Sequence, residues 1–418
     1  MPAPSRRSCS ADAMTAPRIT IVGASLAGLR TAEAVHAALP AARITLVGDE
    51  PLAPYNRPPL SKEAAETLAR DTTAREAVFG KLLLRSKLTP EALSLRLGTG
   101  AVALEAGGVR LADGTLVPGE RVIAATGLRP RRLPRPGAEA RRHVLRSFDD
   151  LTRLAPSLRP GARMVVIGGG FIGCEIAATG RKLGLEATIV EPSPQPMLRA
   201  LGPRVAAAMA ALHRAHGVVL LTGRSVAGFS DEGVILDDGQ ALAAEVIVEA
   251  LGSHPNVEWL AGSGADLRDG VLVDDRMIAP GAEGLLAVGD VARFVNPLFG
   301  PEARRTEHWC VPGQTAKRVG ETLAAEAAGT ALATRFAPMP SFWSDQHGMR
   351  LQAFGAPSLA DACRVLEGEL SLVGRAPVIV EYLRGGEPVG VLGLGANPAA
   401  LARARARLDA ALTETLTA

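Results

Sequence analysis

The stretch Arg163 to Glu191, RMVVIGGGFIGCEIAATGRKLGLEATIVE, constrains this chain more than any other. Met164 to Ile167 is an apolar run of strand length, and Gly168, Gly170 and Gly173 follow as G-x-G-x-x-G around Ile172. An alanine-rich helical segment comes next, and Ala187 to Val190 reads as a second strand ending in Glu191. The first glycine makes the turn, the second admits a pyrophosphate to the backbone, and the third lets helix and strand pack closely. The helix N-terminus offers free N–H groups and partial positive charge to phosphate. Glu191, about 20 residues on, stands where a carboxylate accepts both ribose hydroxyls and repels a 2′-phosphate. A structural glycine turn is the plain alternative, but strand, helix, strand and terminal acid all in register favour a dinucleotide.

A second such unit lies near the N-terminus. Arg18 to Val22 is a strand, Gly23-Ala24-Ser25-Leu26-Ala27-Gly28 the turn, and a helix runs to about Leu39. The strand Arg43 to Val47 then leads into Gly48-Asp49-Glu50. Ser25 replaces the second glycine and is small enough to narrow the phosphate approach without blocking it. Two dinucleotide folds in one chain imply two dinucleotides and electron transfer between them.

At 418 residues the chain has room for two or three domains. It is 47% apolar with mean hydropathy +0.16, and no apolar run approaches the ~20 residues of a membrane span. A net charge of +3 does not argue for nucleic acid. Cys9, Cys174, Cys310 and Cys363 form no C-x-x-C pair, which suits a reducing cytosol and offers no metal cage; the histidines show no metal spacing either. The first 17 residues lack the apolar core of a signal peptide and read as a disordered tail.

Along the chain, PLAPYNRPPLSK (Pro51 to Lys62) is a proline-fixed loop carrying Arg57 and Lys62. It is either a rigid surface loop or a device that starts a helix at Lys62 beside a flavin, whose reduced anion the ammonium would stabilise. Only five of 46 basic residues are lysine, so a lysine here is mildly informative. Residues 63–80 read as a polar helix and loop. RVIAATG, ending in Ala125, Thr126 and Gly127, and VIVEALG, ending in Gly252, are matching strand-to-glycine exits, as expected where one nucleotide domain is inserted in another. Between them Leu128 to Arg146 holds seven arginines and one acid, either a solvated linker or an electropositive surface that steers an acidic partner. LLAVGD delivers Gly289 and Asp290 at a strand end, the latter a plausible acceptor of sugar hydroxyls. Trp309 is a stacking platform or a core residue, and His308 alone is a poor ligand. The helix after it is expected from Gln314, and from Phe336 short strands and a last helix predict a small α+β domain.

In order, GASLAG, YNRPPLSK, ATGLRPR, GGGFIGCE, AVGD, EHW and FWSDQ resemble the FAD-dependent NADH:ferredoxin reductases of bacterial oxygenase systems, of the putidaredoxin reductase and ring-dioxygenase reductase type. The likeness runs from about Arg18 to the C-terminus. It implies an α/β protein with two Rossmann-like dinucleotide-binding domains and a C-terminal α+β domain. FAD would take residues 18–127 and 251–335, NADH residues 128–250, and the last domain residues 336–418. It further implies Ala27, Asp49, Glu50, Arg57, Lys62, Val102, Arg146, Asp290 and Trp309 around FAD, with Lys62 by the flavin ring. Glu175 would meet the nicotinamide carboxamide and Glu191 the adenosine ribose. The implied partner is a [2Fe–2S] ferredoxin feeding a cytochrome P450 or ring dioxygenase, with the enzyme a cytoplasmic monomer or weak dimer. Family members commonly continue EHW with Asn-Ala, where this chain has Cys310-Val311-Pro312. Other readings on the same fold are an NADH oxidase, peroxidase or disulfide oxidoreductase, which need a reactive cysteine where Lys62 stands, a rubredoxin reductase, and a non-catalytic flavoprotein resembling apoptosis-inducing factor.

Overall fold

The computed structural model describes residues 16–417. The tail expected over 1–17 lies outside the described residues but for its last two positions, as does Cys9.

Two all-parallel five-stranded sheets carry the two nucleotide units. The first has the order Leu285–Ala287, Arg121–Ala124, Arg18–Val22, Arg43–Val47, Leu93–Arg96, so a strand from late in the chain completes a sheet begun at its start. Helices Leu26–Ala38 and Val311–Ala328 pack on one another so closely that a Cβ on Gly320 would stand 2.9 Å from the Ala34 carbonyl oxygen. The second sheet has the order Val219–Thr222, Glu186–Glu191, Arg163–Ile167, Val246–Glu249, Arg142–His143. Parallel sheets bury both faces, and accordingly Met164 to Ile167 are all buried, which is why that run is apolar without alternation.

The two strand-to-glycine exits meet. Leu128–Pro130 pairs antiparallel with Ser253–Pro255, and Thr126 and Asn256 exchange side-chain-to-backbone hydrogen bonds of 2.6 and 2.9 Å. The C-terminal part is a five-stranded antiparallel sheet, in the order Ser341–Gln346, Met349–Gly355, Glu387–Leu394, Val378–Arg384, Ala362–Glu367, with the helix Pro398–Thr417 packed against it.

Three expectations are corrected. The arginine run is not a solvated linker throughout. Arg142 is buried on a sheet-edge strand, where its Nε donates 3.0 Å to Glu249 Oε1, and Arg132 reaches the same carboxylate. A buried carboxylate must be paired, so part of the run is structural. Residues 63–80 hold two helices, Glu63–Arg70 and Arg75–Leu82, whose Leu68, Val78 and Leu82 join a core shared with the second nucleotide sheet and the C-terminal sheet. The late helix begins at Val311 rather than Gln314, because a proline in the first turn surrenders an N–H that has no intrahelical acceptor. FWSDQ, to which the sequence assigns no element, lies on the edge strand Ser341–Gln346.

Candidate active site

The two nucleotide turns match at their first and third glycines, while the second place is Ser25 in one and Gly170 in the other. Gly23 and Gly168 have φ of +121° and +106°, and a Cβ on either would lie 2.2 or 2.4 Å from a carbonyl oxygen of the opposing strand exit, Ala125 or Ala250. Only glycine fits there. Gly28 and Gly173 press on the carbonyls of Gly23 and Gly168, at 2.0 and 2.1 Å from a would-be Cβ. Gly170 differs, since its Cβ would meet nothing within 4 Å. That open space, at the start of helix Phe171–Lys182, is the approach a pyrophosphate needs. Glu191 closes this unit, its Oε2 accepting from Gly169 N at 2.7 Å and its Oε1 from Ser193 N at 2.8 Å.

Above the first turn opens a cleft of about 440 Å³. Of the residues expected at a cofactor, Ser25, Ala27, Arg57, Lys62, Ala125, Gly127, Arg146, Ile172, Glu175, Asp290 and Trp309 line it. Burial raises the Asp290 pKa, while Arg146 Nη2, 3.6 Å from its Oδ2, pulls it down. Trp309 is 46% exposed at the mouth, set edge-on to Trp343, so the core reading of this tryptophan is corrected. Others serve the cleft from behind. Glu50 does not face it; its carboxylate takes Tyr55 Oη at 2.6 Å and Arg57 Nη2 at 2.5 Å, fixing the proline loop. Asp49 caps Glu50 N, Thr126 ties the two exits, and Gly289 packs on Ala27. Gly252, at φ +84°, ends the second exit. Val102 is 52% exposed and does not line the cleft.

At the cleft floor Lys62 Nζ donates to Glu175 Oε2 at 2.6 Å, and Ser61 Oγ donates to the same oxygen at 2.6 Å. Helix Glu63–Arg70 does begin directly after Lys62. The pair joins the loop of one nucleotide unit to the helix of the other. Sequence reasoning missed Ser61, Tyr55 and the edge strand with Phe342, Trp343 and Ser344; FWSDQ was the one visible signal. His308 was not read as a cleft residue. It lines the cleft, burial lowers its pKa to about 4, and its buried Nδ1 has no protein partner. A buried ring nitrogen without a protein partner and a cleft that reaches from Ser25 and Ala27 at the first turn to Lys62 and Trp309 together fit a flavin dinucleotide. Among the described residues no group of three or more side chains suits a metal, and no helix is long and apolar enough to cross a membrane.

Residues 17–322 match the family model described as pyridine nucleotide-disulphide oxidoreductase. The chain is 34% identical over 351 residues to rhodocoxin reductase of Rhodococcus erythropolis, covering 82% of this chain and 79% of that protein. It is 35% identical to the ferredoxin–NAD(+) reductase component of the anthranilate 1,2-dioxygenase system of Burkholderia cepacia, covering 82% of each. Putidaredoxin reductase of Pseudomonas putida is 32% identical, with 81% and 80% covered. The fold superposes on the covalent putidaredoxin reductase–putidaredoxin complex with a TM-score of 0.83, at 28% identity and 96% and 98% coverage.

Proposed function

The chain belongs to the pyridine nucleotide-disulphide oxidoreductase family, and from that premise we propose that it is an NADH-dependent ferredoxin reductase passing single electrons to a [2Fe–2S] ferredoxin that serves an oxygenase. Its cofactors are FAD and NAD(H), and its relatives include putidaredoxin reductase and the ferredoxin–NAD(+) reductase component of a dioxygenase system. We assign FAD to the unit built from residues 18–127 and 251–335 and NADH to the unit between them.

The observation that carries the reading is the Lys62–Glu175 pair, which puts a cation and an anion where the two nucleotide sites meet. FAD, when bound, supplies the step from a two-electron donor to a one-electron acceptor. The chain's own residues orient and insulate. Arg146 and Asp290 offer polar contacts to a ribityl chain, Gly170 and the helix behind it hold the NADH pyrophosphate, and Glu191 takes the adenosine ribose. Lys62 places positive charge at the floor, and Glu175 keeps that ammonium aimed. Disulfide chemistry has no residue to use, since none of the described cysteines lines the cleft.

The test is anaerobic stopped-flow with the FAD-loaded enzyme. NADH should bleach the flavin, and a [2Fe–2S] ferredoxin should then reoxidise it. Flavin reoxidised by peroxide or a disulfide but not by ferredoxin would overturn the proposal.

A further inference from the structure

Behind Glu175 runs a hydrogen-bonded chain that the proposed function leaves unused. Ser344 Oγ donates to Glu175 Oε1 at 2.6 Å, and Gln346 Nε2 donates to Ser344 Oγ at 2.9 Å. Gln346 Oε1 lies 2.8 Å from His213 Nε2, and His213 Nδ1 lies 3.0 Å from His347 Nε2. His216, exposed, stacks on His347 with ring centroids 4.2 Å apart. Ser344, Gln346 and His213 are buried, so the chain leads from solvent to the cleft floor through the C-terminal edge strand and the helix Leu198–Ala215.

One arrangement of protons satisfies every contact. Glu175 already receives Lys62 and Ser61 on Oε2, and as a carboxylate it only accepts, so Ser344 donates. A hydroxyl has one proton, so Ser344 must itself accept, and the amide nitrogen of Gln346 faces it. The amide oxygen then faces His213 Nε2, which carries the hydrogen. His213 Nδ1 is left bare and accepts from His347 Nε2–H. All donors point towards Glu175. With His213 in the other tautomer, Gln346 would flip, Ser344 would donate to its oxygen, and Glu175 Oε1 would lose its donor. Burial lowers the His213 pKa to about 4, and burial with the neighbouring His213, His216 and Arg181 lowers that of His347 to about 3. Both rings are therefore neutral near pH 7 and carry the single ring proton the chain requires.

We propose that Ser344 is a positioning residue for Glu175, and that Gln346, His213 and His347 fix the direction in which its hydroxyl donates. The C-terminal sheet thereby sets the orientation of the carboxylate that aims Lys62. This deepens the proposed function and rests on it only for where the flavin lies.

The experiment uses the FAD-loaded enzyme. Ring ¹⁵N spectra should show His213 protonated at Nε2 and bare at Nδ1; the opposite tautomer overturns the chain. Ser344→Ala should slow flavin reduction by NADH about tenfold, the scale of one lost charge-assisted hydrogen bond. With Oε1 undonated, Glu175 neutralises Lys62 more fully, so the flavin midpoint potential should become more negative. Ser344→Thr, which keeps the hydroxyl, should restore both. A Ser344→Ala enzyme with wild-type rate and potential overturns the proposal. His347→Asn keeps a side chain that tolerates the left-handed backbone (φ +51°) but ends short of His213. It should let His213 populate both tautomers, and an unchanged single tautomer removes His347 from the chain. If the wild-type enzyme fails to reduce ferredoxin while the His213 tautomer and the Ser344→Ala potential shift appear as stated, the ferredoxin reading falls and this one stands.

Discussion

Lys62 Nζ and Glu175 Oε2 lie 2.6 Å apart although 113 residues separate them in sequence, and both side chains are largely withdrawn from solvent. One belongs to a proline-fixed loop and the other to the first turns of the second nucleotide helix, so the contact exists only when the two units are docked. Breaking a buried pair from one side strands the remaining charge, at a cost of about 3–5 kcal/mol. Lys62→Met should therefore lower thermal stability and slow flavin reduction by NADH at least tenfold. Lys62→Met with Glu175→Gln, which removes both charges but keeps an acceptor for Ser61 and Ser344, should recover stability but not rate. Calorimetry and stopped-flow read the two effects separately.

Glu191 should favour NADH over NADPH. Backbone N–H groups of Gly169 and Ser193 hold its two oxygens at the turn, which leaves lone pairs for ribose hydroxyls and a negative charge against a 2′-phosphate. Steady-state kinetics should give a higher kcat/KM for NADH than for NADPH. Glu191→Ala should shrink that ratio about tenfold or more by weakening NADH.

Cys174 and Cys310 should take no part in turnover. Burial raises the Cys174 thiol pKa, and its Sγ sits against the Gly169 carbonyl oxygen at 3.5 Å. Cys310 Sγ bridges Ser341 N and O at 3.1 and 3.3 Å. The double variant Cys174→Ala, Cys310→Ala should keep ferredoxin reduction near wild type, with at most about 1 kcal/mol lost in a denaturant titration for the Cys310 contacts.

Arg131, Arg132 and Arg135 are exposed, whereas Arg142 of the same run is buried. Steering of an acidic ferredoxin should fall to these three, since Arg129, also exposed, is paired with Glu258. Their joint replacement by Ala should raise the KM for ferredoxin and flatten its salt dependence, because screening at ~0.15 M salt acts over about 8 Å. Flavin reduction by NADH should be unchanged. Glu249 keeps Arg142 as its partner in that variant, which protects the fold.

Stability should fall with acid. Burial lowers the pKa of His213 and His308 from 6.5 to about 4, so the unfolded chain binds more protons than the folded one between those values. Their contribution is full above pH about 6.5 and is lost progressively as pH drops towards about 4. Melting temperature should decline over that window, and His213→Gln should reduce the slope.

Most of the α/β framework was legible in the chain. Arg18–Val22 and Arg43–Val47 are strands with the residue limits read from sequence, and the two strand-to-glycine exits were visible as RVIAATG and VIVEALG. The resemblance carried by the motifs also pointed to the cleft. Less legible were segments whose state depends on a distant partner. Arg142 reads like any other arginine of its run until Glu249 is buried beside it. The helix Arg75–Leu82, read as part of a loop, has a weak local signal and is held by a core drawn from three parts of the chain.

Sequence alone determined the two nucleotide turns, because their requirements are local. A positive φ and a carbonyl within van der Waals reach of any Cβ demand glycine at Gly23 and Gly168 whatever else the chain does. Periodicity and an acid at the strand end are equally local signals. Only the tertiary structure decided what stands between those turns: Lys62 against Glu175, Ser344 behind that carboxylate, and a histidine pair fixing the direction of the hydrogen bonds. These groups lie in the proline loop, the helices of the second nucleotide unit and the C-terminal sheet. Hydrogen bonds fall off within a fraction of an ångström, so their pairing depends on how separately folded elements dock, which no local pattern encodes.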